Sequence, residues 1–310
     1  MTGEKPKVVV ITGPTASGKS SLAIDLALHF GAEIVNADSM QVYRGMDVGT
    51  AKPTITERRG VPHHLLDVAD PDEDFDAAKY RSLGTPILHD IASRNKASLV
   101  VGGTGLYIKS LLSGLFECPP TDPELRDELR RTWEMRGSAY LYERLKSFDP
   151  ESARKIHPND RSRIIRALEV YYLTRQPFSS LVRRHGFKDQ PFHALKICLQ
   201  VDRPQLYDRI NRRSISMIEA GLVGETERLI MKGYTPDLKP MNSLGYRHIR
   251  GFLDGEYDLD EAIRQLQRDT RRYAKRQVTW FRTDPGMVWM KPDDFAGVIQ
   301  RVGTFYGMRA

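Results

Sequence analysis

The spacing of apolar positions changes character along the chain. Up to about residue 114, short apolar runs alternate with longer mixed stretches. KVVVIT (7–12), EIVNAD (33–38) and ASLVVGG (97–103) are short runs of the kind that buried strands use, and the segments 18–29, 76–94 and 105–114 between them have the length and pattern of helices. This alternation predicts a parallel sheet with helices on both faces. FECPPTDPEL (116–125), with three prolines, reads as a boundary. Helical patterns follow at 123–136 and 138–147. A third begins after HPND, where Ile164, Ile165, Leu168, Tyr171 and Tyr172 share one face of RSRIIRALEVYYL. LVRRHGFKDQPFHA (181–194) reads as a loop, and ALKICLQVD (194–202) as a strand returning to the sheet. The expected organisation is an α/β core from 1–119 and 194–310, with 120–193 as an inserted, mostly helical domain.

Charge adds a second asymmetry. Residues 1–120 carry 12 basic and 14 acidic side chains, whereas 121–193 carry 15 and 11. Two blocks are more extreme: 161–188 and 264–282 each hold seven basic residues against one acid, Glu169 and Asp269 respectively. A near-neutral half beside two basic blocks implies a phosphate-rich macromolecule as partner. In the second block, about 100° per residue brings Arg264, Arg268, Arg271 and Lys275 within about 60° of one another on a helix. Leu266, Tyr273 and Trp280 are expected opposite, on the core side, with Ile263 and Phe281 flanking them.

Composition excludes other classes. With 40% hydrophobic residues among 310, the chain can bury a large core. Only Cys118 and Cys198 are present, too few for a disulfide framework or a cysteine zinc site, and the adjacent His63-His64 lack a spaced partner ligand. The opening MTGEKPKVVV has no apolar signal core and no run approaches a membrane span, so a cytoplasmic protein without a membrane partner is expected.

The most specific chemical signal is GPTASGKS, from Gly13 to Ser20, directly after the first strand. It fits the phosphate-loop spacing, in which backbone amides and a helix N-terminus surround phosphate oxygens, Lys19 reaches the terminal phosphates and the Ser20 hydroxyl meets magnesium. Two further strand ends carry candidate groups: Asp38 in NADSMQ, and Thr104 bracketed by Gly102, Gly103 and Gly105. Sites of open α/β sheets gather at such ends.

In order along the chain stand GPTASGKS, NADSMQVYRGMDVGTAKP, HHLLD, VGGTGLY, HPNDRSRIIRALEVY, GLVGE and SLGYR. Together they resemble the tRNA dimethylallyltransferases, the bacterial isopentenyl transferase family, over about residues 7–282. The resemblance implies transfer of a dimethylallyl group from its diphosphate to the exocyclic amine of the adenosine 3′-adjacent to the anticodon. Gly13, Pro14, Thr15, Ala16, Ser17, Gly18, Lys19, Ser20 and Arg213 would then hold the diphosphate, with magnesium at Ser20. Asp38 would act as base and Thr104 as aligning hydroxyl. Contacts to the tRNA anticodon stem-loop would come from Asp38, Ser39, Met40, Gln41, Thr104, Arg126, Ser162, Arg163, Ile164, Ile165, Arg166, Asn242, Ser243, Leu244, Gly245, Tyr246 and Arg247, together with the Arg264, Arg268, Arg271, Lys275 stripe. No obligate protein partner is implied. A small-molecule or nucleotide kinase is the alternative that the phosphate loop alone leaves open.

Overall fold

A computed structural model describes residues 5–116 and 118–308; Glu117, within the expected boundary, and the first and last few residues lie outside the description. The chain divides into two compact units, residues 1–112 with 190–310, and residues 113–189.

The first unit is built on six parallel strands: β1 (Lys7–Thr12), β2 (Glu33–Asn36), β3 (His63–His64), β4 (Ser98–Val101), β5 (His193–Leu199) and β6 (Met287–Met290), in spatial order β3-β2-β4-β1-β5-β6. The chain passes from β1 to β2 over the place later filled by β4, so the strand order reverses beside β1, where α/β sheets open a ligand crevice. Alternate residues of the central strands face opposite ways. Val9, Ile11, Ile34, Leu99 and Ile197 pack against the apolar faces of α1 (Lys19–Phe30) and, at the other end of the chain, α13 (Phe295–Tyr306). Between β2 and β4 run the short α2 (Ile55–Arg58) and α3 (Ala77–Ser93), and α3 covers β2 and β4 from the other face. The helix α4 (Gly105–Ser113) follows β4.

The second unit is helical: α5 (Pro123–Phe148), α6 (Pro150–Lys155), α7 (Arg161–Thr174) and α8 (Phe178–His185). The two helical patterns read at 123–136 and 138–147 are one run bent at Gly137, which sits at φ 79°. The segment beginning at residue 181, read as a loop, is helical as far as His185. Leu181 is buried and Gly186, in the left-handed region, closes the helix with its N–H on the Val182 carbonyl. The unit boundary falls a few residues before the expected 120 and 193. Gly114 at φ +77° leaves α4, and strand pairing is restored at His193, opposite Lys7.

The remainder of the first unit is α9 (Arg203–Glu219), α10 (Leu222–Met231), α11 (Tyr246–Leu253) and α12 (Leu259–Phe281). Among the described residues no helix is long and apolar enough to cross a membrane.

Candidate active site

The phosphate loop leaves β1 at Thr12, whose hydroxyl donates to the Gly102 carbonyl at 2.7 Å and so binds the end of β1 to the end of β4. Gly13, at φ +147°, must be glycine: a Cβ there would stand 3.0 Å from Ser17 Oγ and 3.1 Å from the Leu199 carbonyl. Gly18 caps α1 without a side-chain hydrogen bond, so the first amides of the helix stay open to an anion. Thr15, Ala16, Gly18, Lys19 and Ser20 line a cavity of about 540 Å³; Gly13, Pro14 and Ser17 lie behind this surface and shape the loop. The Pro14 carbonyl accepts from the Ser17 N–H at 3.2 Å and from Lys19 Nζ at 3.4 Å.

The cavity is electropositive. Burial pulls the Lys19 ammonium down to about 8, partly countered by the Asp38 carboxylate and reinforced by Arg213. Burial also lowers Arg213, against Asp38 and Glu57. Arg213, from α9, donates to Thr15 Oγ1 at 3.4 Å. Two cations held in one partly dry cavity repel each other, and an anion arriving between them relieves both the repulsion and the desolvation.

Asp38 lies two residues beyond β2. Its N–H donates to Asn36 Oδ1 at 3.2 Å, and its own Oδ1 accepts from the Met40 N–H at 2.9 Å, a local turn that fixes the carboxylate. Thr104 accepts from the Ser39 N–H at 2.9 Å and donates its own N–H to the Ala37 carbonyl at 3.1 Å, so it grips the backbone on both sides of Asp38. Thr104 does not line this cavity, and among the described residues its hydroxyl has no acceptor. Glycine at 102 makes the approach possible, because a Cβ there would come within 2.2 Å of Ala37 backbone atoms.

A second cavity of about 340 Å³ is lined by Ser39, Met40, Ala51, Ser243, Leu244, Arg247 and Tyr273 among others. It shares Thr15, Asp38, Thr50 and Arg213 with the first. The two spaces therefore adjoin along these residues. Gln41 lines only the first cavity and donates to the Thr50 and Ala51 carbonyls at 3.1 and 3.2 Å.

Two residues not singled out from the sequence hold the 41–52 loop. Glu225, on α10 and 4% exposed, accepts from the Asp47, Val48 and Gly49 amides at 3.1, 2.8 and 3.0 Å and from the Tyr246 hydroxyl at 2.7 Å. The buried Lys52 ammonium donates to the Tyr43 carbonyl and to Asp47 and Asp67. The signal for Glu225 was the lone acid closing GLVGE ahead of an apolar helix. Glu225→Ala strands the buried Tyr246 hydroxyl and three partly buried amides, and we expect it to destabilise the protein by about 2 kcal/mol. Denaturant unfolding measures this loss.

The expected RNA contacts divide. Arg247 and the half-buried Ser243 and Leu244 line the second cavity, and Asn242 is exposed beside them. Ser162 and Arg163 are exposed in the first turn of α7. Others have structural partners: the side chains of Ile164, Ile165 and Tyr246 are buried, which does not suit direct contact with RNA, whereas Arg126 and Arg166 are partly exposed. Ile164 and Ile165 are buried in the apolar cluster of the helical unit. Tyr246 is fully buried on Glu225, and Gly245 is buried beside it. Arg126 and Arg166 hold the fully buried Glu169 at 2.8 and 2.6 Å, and Arg166 also donates to the Pro119 carbonyl.

On α12, Arg264 and Arg268 are exposed, leaning on Glu261 and Asp269, and Lys275 is exposed. Arg271 is half-buried and donates to Asn211 Oδ1 at 2.6 Å, which ties α12 to α9. Tyr273 lines the second cavity, and Trp280, expected in the core, is 38% exposed with its indole edge over Gly105. Burial alone would raise the Asp269 carboxyl. Hydrogen bonds from Arg268, His248 and Arg247 hold it well below the usual range, so this acid gathers the cations of α11 and α12.

His63 bonds the Val61 carbonyl and His64 bonds Glu33, each at 2.8 Å. Among the described residues no group of three or more His, Cys, Asp or Glu is arranged to hold a metal. Ser20 and Asp38 both line the first cavity. Two hard oxygen donors suit magnesium, which takes its other ligands from substrate phosphate and water.

The family model for IPP transferase matches residues 41–284. The chain is 51% identical to tRNA dimethylallyltransferase 2 of Geotalea uraniireducens, over 98% of each chain, and 49% identical to the tRNA dimethylallyltransferase of Geobacter sulfurreducens, again over 98% of each. Among solved structures, it is similar to the full-length tRNA isopentenylpyrophosphate transferase of Bacillus halodurans, with a TM-score of 0.73 and 38% identity over 98% of this chain and 97% of that one. A eukaryotic dimethylallyltransferase described as acting on tRNA matches with a TM-score of 0.78 and 29% identity, over 96% of this chain and 77% of that one. The phosphate loop, the acid and hydroxyl beside it and this near-full-length likeness together place the chain in the IPP transferase family.

Proposed function

We propose that the protein transfers the dimethylallyl group of dimethylallyl diphosphate to the exocyclic amine of the adenosine 3′-adjacent to the anticodon in tRNA, releasing diphosphate. The observation that carries this reading is that two cavities adjoin along a border that includes Asp38, one lined by the phosphate loop and the other by polar and apolar groups with Tyr273. A donor in the first and a base entering the second would bring their reacting atoms together there.

The chemistry suits the residues. The allylic C–O bond breaks with its electron pair going to diphosphate, and the amine nitrogen forms the new C–N bond. Charge grows on the leaving diphosphate, where Lys19, Arg213 and the open amides of α1 stabilise it more strongly than in the ground state. Magnesium, held through Ser20 and the diphosphate with Asp38 within reach of the same cavity, would add charge stabilisation. The amine is a weak nucleophile until its proton is accepted, and Asp38 is the carboxylate at the junction. Thr104, which accepts from the Ser39 N–H, would act on the geometry of the transfer by holding the backbone beside Asp38. The adenine leaves the loop stack to reach this point, stacking beside Tyr273. Arg247 and the cations of α12 would hold backbone phosphates, with Ser162, Arg163 and the basic surface of the helical unit contributing further contacts. A tRNA substrate implies the cytoplasm.

A kinase would use the same loop to donate a phosphoryl group. The family and its relatives do not favour it, and it leaves the basic blocks without a role.

Nucleoside analysis of undermodified tRNA after incubation with dimethylallyl diphosphate tests the reading. One dimethylallyl unit on the adenosine following the anticodon is expected; a modified base elsewhere, or none, would overturn it. The RNA face has its own test. Affinity for tRNA should fall steeply with salt, and the double substitution Arg268→Glu, Lys275→Glu should flatten the log–log slope by about one unit for each phosphate that is no longer neutralised. Affinity for inorganic diphosphate should stay unchanged. An unaltered slope would make this face an ordinary solvated one.

A further inference from the structure

We propose that Gln277 is a positioning residue for the transfer: its carboxamide fixes the spacing between the loop that holds the donor diphosphate and the loop that carries Thr104. The inference rests on the prenyl-transfer reading of the site and adds a residue to it that touches neither substrate.

Gln277 lies on the buried face of α12 among Leu266, Ala274 and Phe281, and is 5% exposed. An amide in such a stripe is tolerated only when its polar atoms are bonded. Both are. Oε1 accepts from the Thr15 N–H at 2.8 Å, and Nε2 donates to the Gly103 carbonyl at 3.0 Å. One partner is a backbone donor and the other a backbone acceptor, so the orientation of the amide is fixed by chemistry. Thr15 belongs to the phosphate loop; Gly103 immediately precedes Thr104. The amide occupies the space glycine leaves at 103, where a Cβ would stand 2.2 Å from Nε2. One turn further along α12, Trp280 fills the space left at Gly105 in the same way.

The consequences run outward from both ends of the amide. On the donor side, Thr15 has its N–H committed to Gln277, so this amide does not serve the diphosphate, while its hydroxyl meets Arg213. On the acceptor side, Thr104 holds Ser39 next to Asp38. A single side chain, 262 residues from Thr15 and 174 from Gly103, therefore sets the leaving-group cradle against the base and Thr104. Transfer between two bound substrates depends on such spacing to a fraction of an ångström.

Two substitutions separate positioning from bulk stability. Gln277→Leu keeps the approximate volume and removes both bonds. Gln277→Glu keeps an acceptor for the Thr15 N–H but sets an oxygen against the Gly103 carbonyl. Three quantities are measured per folded molecule: affinity for inorganic diphosphate by calorimetry, affinity for tRNA, and the single-turnover rate at saturating substrates. For Gln277→Leu we expect a rate loss of about 10²-fold with tRNA affinity within about twofold of the parent. Gln277→Leu should also weaken diphosphate binding, and Gln277→Glu, which keeps the Thr15 bond but adds a carboxyl beside the donor loop, should remain slow. Combining Gln277→Leu with Thr104→Ala should slow transfer by less than the product of the single effects, since the part of the Gln277 effect that passes through Gly103 reaches the site by way of Thr104. Unchanged rates per folded molecule, multiplicative effects with Thr104→Ala, or a diphosphate affinity of Gln277→Leu equal to that of the parent would overturn the proposal. The calorimetric comparison does not depend on turnover. Absence of prenyl transfer by the parent protein would refute the functional reading, and the calorimetry would still decide whether the amide sets the donor loop.

Discussion

Lys19→Ala is expected to lower turnover by about 10³-fold while tRNA binding survives nearly intact. Lys19 lines the same cavity as Asp38 and Arg213, and burial already draws its ammonium down to about 8. A group so placed gains most when negative charge develops beside it. The charge on diphosphate increases as the allylic bond breaks, so the loss should fall mainly on the chemical step and secondarily on donor affinity. Arg213 would not replace it, since its guanidinium is engaged with Thr15 Oγ1. Rapid-quench kinetics alongside tRNA binding provides the check. A collapse of tRNA affinity equal to the loss of turnover would mean that the loop holds an RNA phosphate.

Asp38→Asn should reduce the single-turnover rate by about 10²–10⁴-fold, the usual worth of a general base, with little effect on the binding of either substrate. Asparagine keeps the oxygen that accepts from the Met40 N–H, so the turn after β2 survives. It cannot take the proton of the amine. Thr104→Ala should cost less, about the value of one hydrogen bond, and the two substitutions should be non-additive because Thr104 fixes the backbone around Asp38. Normal single-turnover chemistry in Asp38→Asn, with only magnesium-dependent donor binding weakened, would make Asp38 a metal ligand and move the base elsewhere.

The sequence made the strand–loop–helix chemistry legible because it is local. Gly13 to Ser20 directly follows an apolar run, and Asp38 and Thr104 follow two others. Parallel strands then bring such ends together by topology alone. Long-range partnerships were not legible. Gln277 reads as one polar residue in an amphipathic helix, and nothing local announces partners at Thr15 and Gly103. Glu225 reads as a helix-start acid, although it organises the Asp47–Gly49 backbone. Short elements with weak patterns, such as β6 and the two-residue β3, are stabilised by their neighbours in the sheet and carry little signal of their own.

Ile164 and Ile165 show a conflict within the sequence itself. Their helical spacing predicted burial, whereas the family resemblance suggested RNA contact, and the structure places both in the core of the helical unit. Trp280 shows the opposite error. The helical wheel put it in the core, but α12 ends against the glycine-rich loop, where the indole seals an edge and stays partly exposed.

The central claim is that the phosphate loop holds a leaving group and does not donate a phosphoryl. The most direct measurement follows carbon-labelled dimethylallyl diphosphate and undermodified tRNA through one turnover, with ATP present. The account predicts carbon label in tRNA, intact diphosphate released in equal amount, and ATP unconsumed. Transfer of phosphate from ATP, with no carbon label entering the RNA, would contradict it.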